Sequence, residues 1–106
     1  MNVKYLQKDK LLMLEMTEEI DHHTAEEIRR KIENEITRHM PRKIIFDFNK
    51  VGFMDSAGIG MIVGRYKTMK MLGGELELQN VKPSVQKIFE MSGINQIIKI
   101  NDKKIS

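Results

Sequence analysis

Met54-Asp55-Ser56-Ala57-Gly58 sets a serine hydroxyl beside a carboxylate where an apolar run gives way to a helical pattern. Unpaired backbone N–H groups and the positive end of the helix dipole gather at such a start, so a phosphate carried there meets donors instead of an apolar wall. The chemistry this suits is a modification switch on Ser56. Hydrolysis fits less well: Met54 stands where a G-x-S-x-G elbow needs glycine, and the only candidate bases are His22, His23 and His39. Asp21-His22-His23 carries ligand-type side chains. Adjacent histidines at a helix start are expected to diverge, however, and Asp21 is accounted for as a helix cap, so no metal is expected. Gly58, Gly60 and Gly64 are spaced G-x-G-x-x-x-G, one residue too long for a dinucleotide fingerprint, and no phosphate loop follows, so no cofactor is expected.

Positioning Ser56 requires a strand before it and a helix after it. Ile44 to Phe48 is β-branched and aromatic, apolar on both faces apart from Asp47, as for a central strand covered by helices on at least one side. The following helix is expected from Ser56 to Leu72, stopped by Gly73-Gly74, with Ile59, Ile62, Val63, Tyr66 and Met69 as its apolar stripe. Upstream, Val3 to Gln7 and Leu11 to Met16 flank the polar turn Lys8-Asp9-Lys10 and predict a hairpin. Asp21 then precedes a helix with Ala25, Ile28, Ile32, Ile36 and Met40 at steps of three or four, ended by Pro41. Glu75 to Gln79 alternates as a strand. Pro83 opens a third helix carrying Val85, Ile88 and Phe89, Gly93 stops it, and Ile97 to Ile100 forms a last strand. The order ββαβαβαβ defines an α/β domain with a mixed, mostly parallel sheet.

The 106 residues suit one domain spanning 1–106, and 41% hydrophobic with 31% charged residues is an ordinary globular balance. No cysteine is present, which removes disulfides and thiolate metal sites. No secretory signal pattern is seen, so the expectation is a cytoplasmic protein, and no apolar run is long enough to span a membrane. Eighteen basic against fifteen acidic residues leave +3, but the signs alternate along the chain. Lys67, Lys70 and the Lys103-Lys104 pair therefore read as solvated surface, and nucleic acid is not expected as a partner.

Each glycine inside the second helix costs about 0.5 to 1 kcal/mol relative to alanine. Close packing on the sheet is expected to explain Gly64, and a smooth surface open to another protein to explain Gly58 and Gly60. Of the nine methionines, Met69 is assigned to the core and Met61 to either core or surface.

Three segments together resemble the STAS domains of bacterial anti-sigma-factor antagonists, most closely the sporulation type. They are Glu19-Ile20-Asp21-His22-His23-Thr24-Ala25-Glu26, Phe53 to Gly60 with Gly64-Arg65-Tyr66-Lys67, and Phe89-Glu90-Met91-Ser92-Gly93. Ala57 departs from the many members that carry a second serine there, leaving Ser56 as the one hydroxyl of the motif. The resemblance implies a non-enzymatic regulator, monomeric when free. Unmodified, it binds an anti-sigma factor that is also a serine kinase with its own ATP, and so frees the sigma factor. Phosphorylation on Ser56 inactivates it and a PP2C-type phosphatase resets it. It further implies that Asp21, His22, Asp55, Ser56, Ala57, Gly58, Ile59, Gly60 and Arg65 lie in or at the rim of the partner interface. The competing class is a STAS domain with another task, as a transport-complex subunit or a small-ligand scaffold.

Overall fold

The computed structural model describes residues 1–101, so the Lys103-Lys104 pair lies outside the described residues. β1 (Asn2–Leu6) and β2 (Leu11–Glu15) form the expected antiparallel hairpin. α1 (Ala25–His39), β3 (Lys43–Asp47), α2 (Ser56–Met71), β4 (Glu75–Gln79), α3 (Pro83–Ser92) and β5 (Lys99–Asn101) follow. The sheet order is β1-β2-β3-β4-β5, parallel from β2 onward, which puts β3 at the centre.

Register explains the layering. Leu12 pairs with Ile44 and Ile44 with Leu76, while Leu14 pairs with Phe46 and Phe46 with Leu78. Strand residues two apart share a face, so these six line one side of the sheet, and all are buried in one core with Ile28, Ile32 and Ile36 of α1, Ile62 and Met69 of α2, and Phe89 of α3. The opposite face carries a buried charge beside Ile45 of the central strand. Glu77 sits there, only 4% exposed, accepting from Lys43 Nζ (2.9 Å), Gln79 Nε2 (2.9 Å) and Asn101 Nδ2 (3.1 Å).

Several boundaries differ from the sequence reading. α1 ends at His39, and Met40 is a 56% exposed C-cap at φ 47°, not the last residue of the apolar stripe. Pro41 cannot extend the helix, so the chain turns left-handed just before it. α2 buries Gly58, Met61, Ile62, Arg65 and Met69, leaving Ile59, Val63 and Tyr66 half-buried. That rotates the buried face away from the expected stripe, because the first half of α2 is apolar nearly all round and gives periodicity little to discriminate. At the end of the chain, the short 3-10 turn Ile94–Gln96 precedes β5, and Ile97 is exposed before the strand begins at Lys99.

Candidate functional site

The segment from β3 to α2 is fastened at both ends. Asp47 Oδ1 accepts the Asn49 N–H (2.9 Å) and the Asn80 side-chain amide (3.1 Å), fixing the exit of the central strand. Ser84 Oγ donates to the Gly52 carbonyl at 3.0 Å, which ties the start of α3 to the same loop. Ile20 and Met54 then form an isolated parallel bridge, with the Ile20 N–H on Phe53 O (3.4 Å) and the Asp55 N–H on Ile20 O (3.2 Å). The loop leading to α1 is thereby held against the loop leading to α2.

Asp55 is the N-cap of α2. Its Oδ1 accepts the N–H groups of Ala57 (2.9 Å) and Gly58 (3.3 Å), while Oδ2 accepts the backbone N–H of His22 (3.1 Å) and lies 3.5 Å from His22 Nδ1. Burial pushes the Asp55 carboxyl upward, but the N–H groups of Gly58, Ala57 and His22 outweigh it and leave the carboxyl below its usual range. Asp21 makes the matching turn on the other side. Its Oδ1 accepts from His23 (2.9 Å) and Thr24 (3.2 Å), so it caps the turn that leads into α1, with the helix proper starting at Ala25. The His23 N–H is the main reason its carboxyl is also held low, and the nearby Asp55 charge works against that.

Ser56 is the first residue of α2 and is exposed. Among the described residues its hydroxyl makes no hydrogen bond, to a histidine or otherwise, so no base is aligned on it. The His22 and His23 rings do not diverge as expected but lie against one another, 3.9 Å between centroids. Two of the helix-start donors assigned to a phosphate are already taken by Asp55. A phosphate on Ser56 therefore meets a carboxylate in possession of the cradle.

Two of the three glycines depart from expectation. A Cβ on Gly58 would stand 2.4 Å from Met54 Cγ and 2.8 Å from the Ile20 carbonyl oxygen, so this glycine is what lets α2 start against the Ile20–Met54 bridge. Gly64 has nothing within 4 Å of such a Cβ, so close packing does not explain it. Gly60 also faces open space and is exposed, in keeping with a low-relief surface. Arg65 is buried, only 7% exposed, between α1 and α2, with Nη2 3.0 Å from Glu33 Oε2.

Sequence reasoning missed the contribution of α3. Ile88, Met91 and Ser92 join Asp55, Ser56 and Ile59 around a shallow depression of about 300 Å³, with Met91 82% exposed. Phe53, 50% exposed, lies in the loop just before Ser56. The sequence signals were the Phe89-Glu90-Met91-Ser92-Gly93 segment of the resemblance and an apolar Met91 off the Val85 and Phe89 core positions. It acquires meaning once α3 is known to flank the start of α2.

The five-stranded mixed sheet with its three helices matches a known family. Residues 2–104 match the STAS domain, and the chain belongs to that family. Within it the chain is an anti-sigma factor antagonist by similarity. It is 34% identical over 96 residues to the anti-sigma F factor antagonist of Paenibacillus polymyxa, covering 91% of this chain and 82% of that one. The anti-sigma-B factor antagonist of Bacillus subtilis (strain 168) is 30% identical over 102 residues, 96% of this chain and 92% of that one. Among solved structures, the Bacillus cell fate determinant SpoIIAA in the phosphorylated form superposes with a TM-score of 0.71 at 28% identity, covering 96% of this chain and 91% of the other. Proteins of this kind are binding regulators, not enzymes. Among the described residues no helix is long and apolar enough to cross a membrane.

Proposed function

We propose that the unmodified chain acts in the cytoplasm as a single domain, binding an anti-sigma factor that is also a serine kinase and thereby releasing a sigma factor. Transfer of phosphate from the partner's ATP to Ser56 ends the interaction, and a PP2C-type phosphatase restores it. Asp55, Ile59 and the Met91 side of the depression form the contact surface around the acceptor hydroxyl. The observation that carries this reading is the exposed Ser56, first in α2, beside a capping carboxylate already engaged by three backbone N–H groups.

That arrangement supplies a release mechanism without refolding. Phosphorylation adds about 1.5 to 2 negative charges at the contact point. Because Asp55 holds the Ala57 and Gly58 donors, the new charge sits against a carboxylate and projects toward the partner. Repulsion and lost fit then act on the complex while Asp55 continues to hold the helix start. The similarity to anti-sigma F antagonists supports a sporulation sigma factor as the one controlled.

The test is intact mass after incubation with the cognate anti-sigma kinase and ATP. One added phosphate on the wild type and none on Ser56→Ala is expected. An unmodified wild type beside a phosphorylated control substrate would remove the switch.

A further inference from the structure

On the side of α2 turned toward α1 lies a second cleft, of about 340 Å³, lined by His22, Glu26, Arg29, Gly60 and Arg65 among others. Arg65 is its unusual component. A guanidinium carries five N–H donors and no acceptor, yet here Nη2 alone is engaged, by Glu33, while Nε and Nη1 are shut off from solvent and meet no acceptor among the described residues. A buried donor left unmet is costly, so such groups are normally satisfied.

The charges around it are shared and not surplus. Arg29 pairs with both Glu26 and Glu33, so the carboxylate facing Arg65 is divided between two cations. Burial lowers the Arg65 pKa most strongly, Glu33 opposes this, and Arg29 adds repulsion. An anion beside the two guanidinium groups satisfies the unmet donors and relieves that repulsion together. Gly60 keeps the wall low: a Cβ there would meet nothing within 4 Å. Arg29 and Met61, both unbranched and flexible, line the same cleft and can move to open the shielded nitrogens to it.

We propose that the α1–α2 cleft binds one oxyanion, a carboxylate or a phosphate group, with Arg65 as the buried donor and Arg29 closing over it. The group is supplied either by an acidic side chain of a protein partner or by a free ion. This site is separate from the Ser56 hydroxyl and does not depend on its phosphorylation.

The experiment is a titration of the full chain with inorganic phosphate at constant ionic strength, following the Arg65 Nε–Hε resonance by NMR. A saturable shift of that resonance is expected, with the phosphate affinity at least threefold weaker in Arg29→Gln, whose partly exposed side chain is not needed for the core. No shift, or the same drift in chloride alone, would overturn the proposal. Given a saturable shift, repeating kinase-partner binding with and without phosphate distinguishes the sources. Competition identifies a partner's acidic side chain, and no competition a free ion. The titration uses no partner, so its failure is separate from any failure of the antagonist reading.

Discussion

Asp55 and His22, 33 residues apart in sequence, are joined by a 3.1 Å hydrogen bond from the His22 backbone N–H to Asp55 Oδ2. The same carboxylate caps α2 through Oδ1, so one side chain fixes the start of the second helix and the turn that leads into the first. Ser56 is held at that junction by elements from two distant parts of the chain.

Removing the carboxylate should therefore cost more than an ordinary cap. Loss of an N-cap alone is worth about 1 kcal/mol, and Asp55→Ala also removes the His22 N–H hydrogen bond, worth about 1 kcal/mol more. A loss of about 2 kcal/mol in urea unfolding is expected, with Asp55→Asn recovering part of it. A change under 0.5 kcal/mol, which is about what Ala costs at an uninvolved surface site, would show that the junction is held by the Ile20–Met54 bridge alone.

Ser56→Ala should bind the anti-sigma kinase as the wild type does and resist inactivation, whereas Ser56→Asp should bind at least tenfold more weakly, a difference of about 1.4 kcal/mol. Calorimetric titration of the three proteins against the kinase reads this directly. Equal affinities for wild type and Ser56→Asp would refute release by charge.

Gly58→Ala and Gly60→Ala separate packing from exposure on one helix. The added methyl at 58 collides with Met54 and the Ile20 carbonyl, and overpacking of this kind costs about 1 to 3 kcal/mol. At 60 it meets open space and should stabilise by about 0.5 to 1 kcal/mol through helix propensity. Thermal unfolding should thus move in opposite directions for the two variants.

Glu77 makes stability fall in acid. Burial raises its pKa, but Gln79, Lys43 and Asn101 hydrogen bonds and the Lys43 charge bring it down to about 2. The unfolded carboxyl titrates near roughly 4.3, so the native state binds fewer protons. The contribution is complete above about pH 5 and is lost as pH falls toward 2. Urea unfolding between pH 7 and pH 2.5 should show a decline that is shallower in Glu77→Gln by on the order of 2 kcal/mol. Parallel pH profiles for the two proteins would show that the buried network does not couple to folding.

Met40→Gly should stabilise the chain. A non-glycine residue at φ 47° is strained by about 1 to 2 kcal/mol, offset in part by the greater freedom of glycine in the unfolded state. A rise in Tm of a few degrees is expected from a net gain near 1 kcal/mol. An unchanged or lower Tm would mean that the Met40 side chain repays its backbone strain.

The element order, the hairpin, the central place of β3 and Ser56 at the head of α2 were all legible in the sequence. They follow from short-range causes: β-branched runs, turn residues, Pro41 and Pro83, and Gly93 as a stop. The carboxylate of Asp55 beside the Ser56 hydroxyl is likewise a matter of neighbours along the chain. Which face of α2 is buried was not legible, because Ile59, Met61, Ile62 and Val63 offer apolar surface in several directions and only the sheet and α1 select among them. For the same reason the close approach fell at Gly58 and not at Gly64, since it depends on Ile20, which is distant in sequence. The burial of Arg65 was not legible, since a charge is usually exposed and its partner Glu33 stands on α1. Glu77 falls on the polar side of the alternation in Glu75 to Gln79, yet Gln79 of its own strand and Lys43 and Asn101, brought beside it by parallel pairing with β3 and β5, enclose it. Local sequence determined what each segment is, and the tertiary structure decided what each side chain faces, because facing is set by residues that only folding brings together.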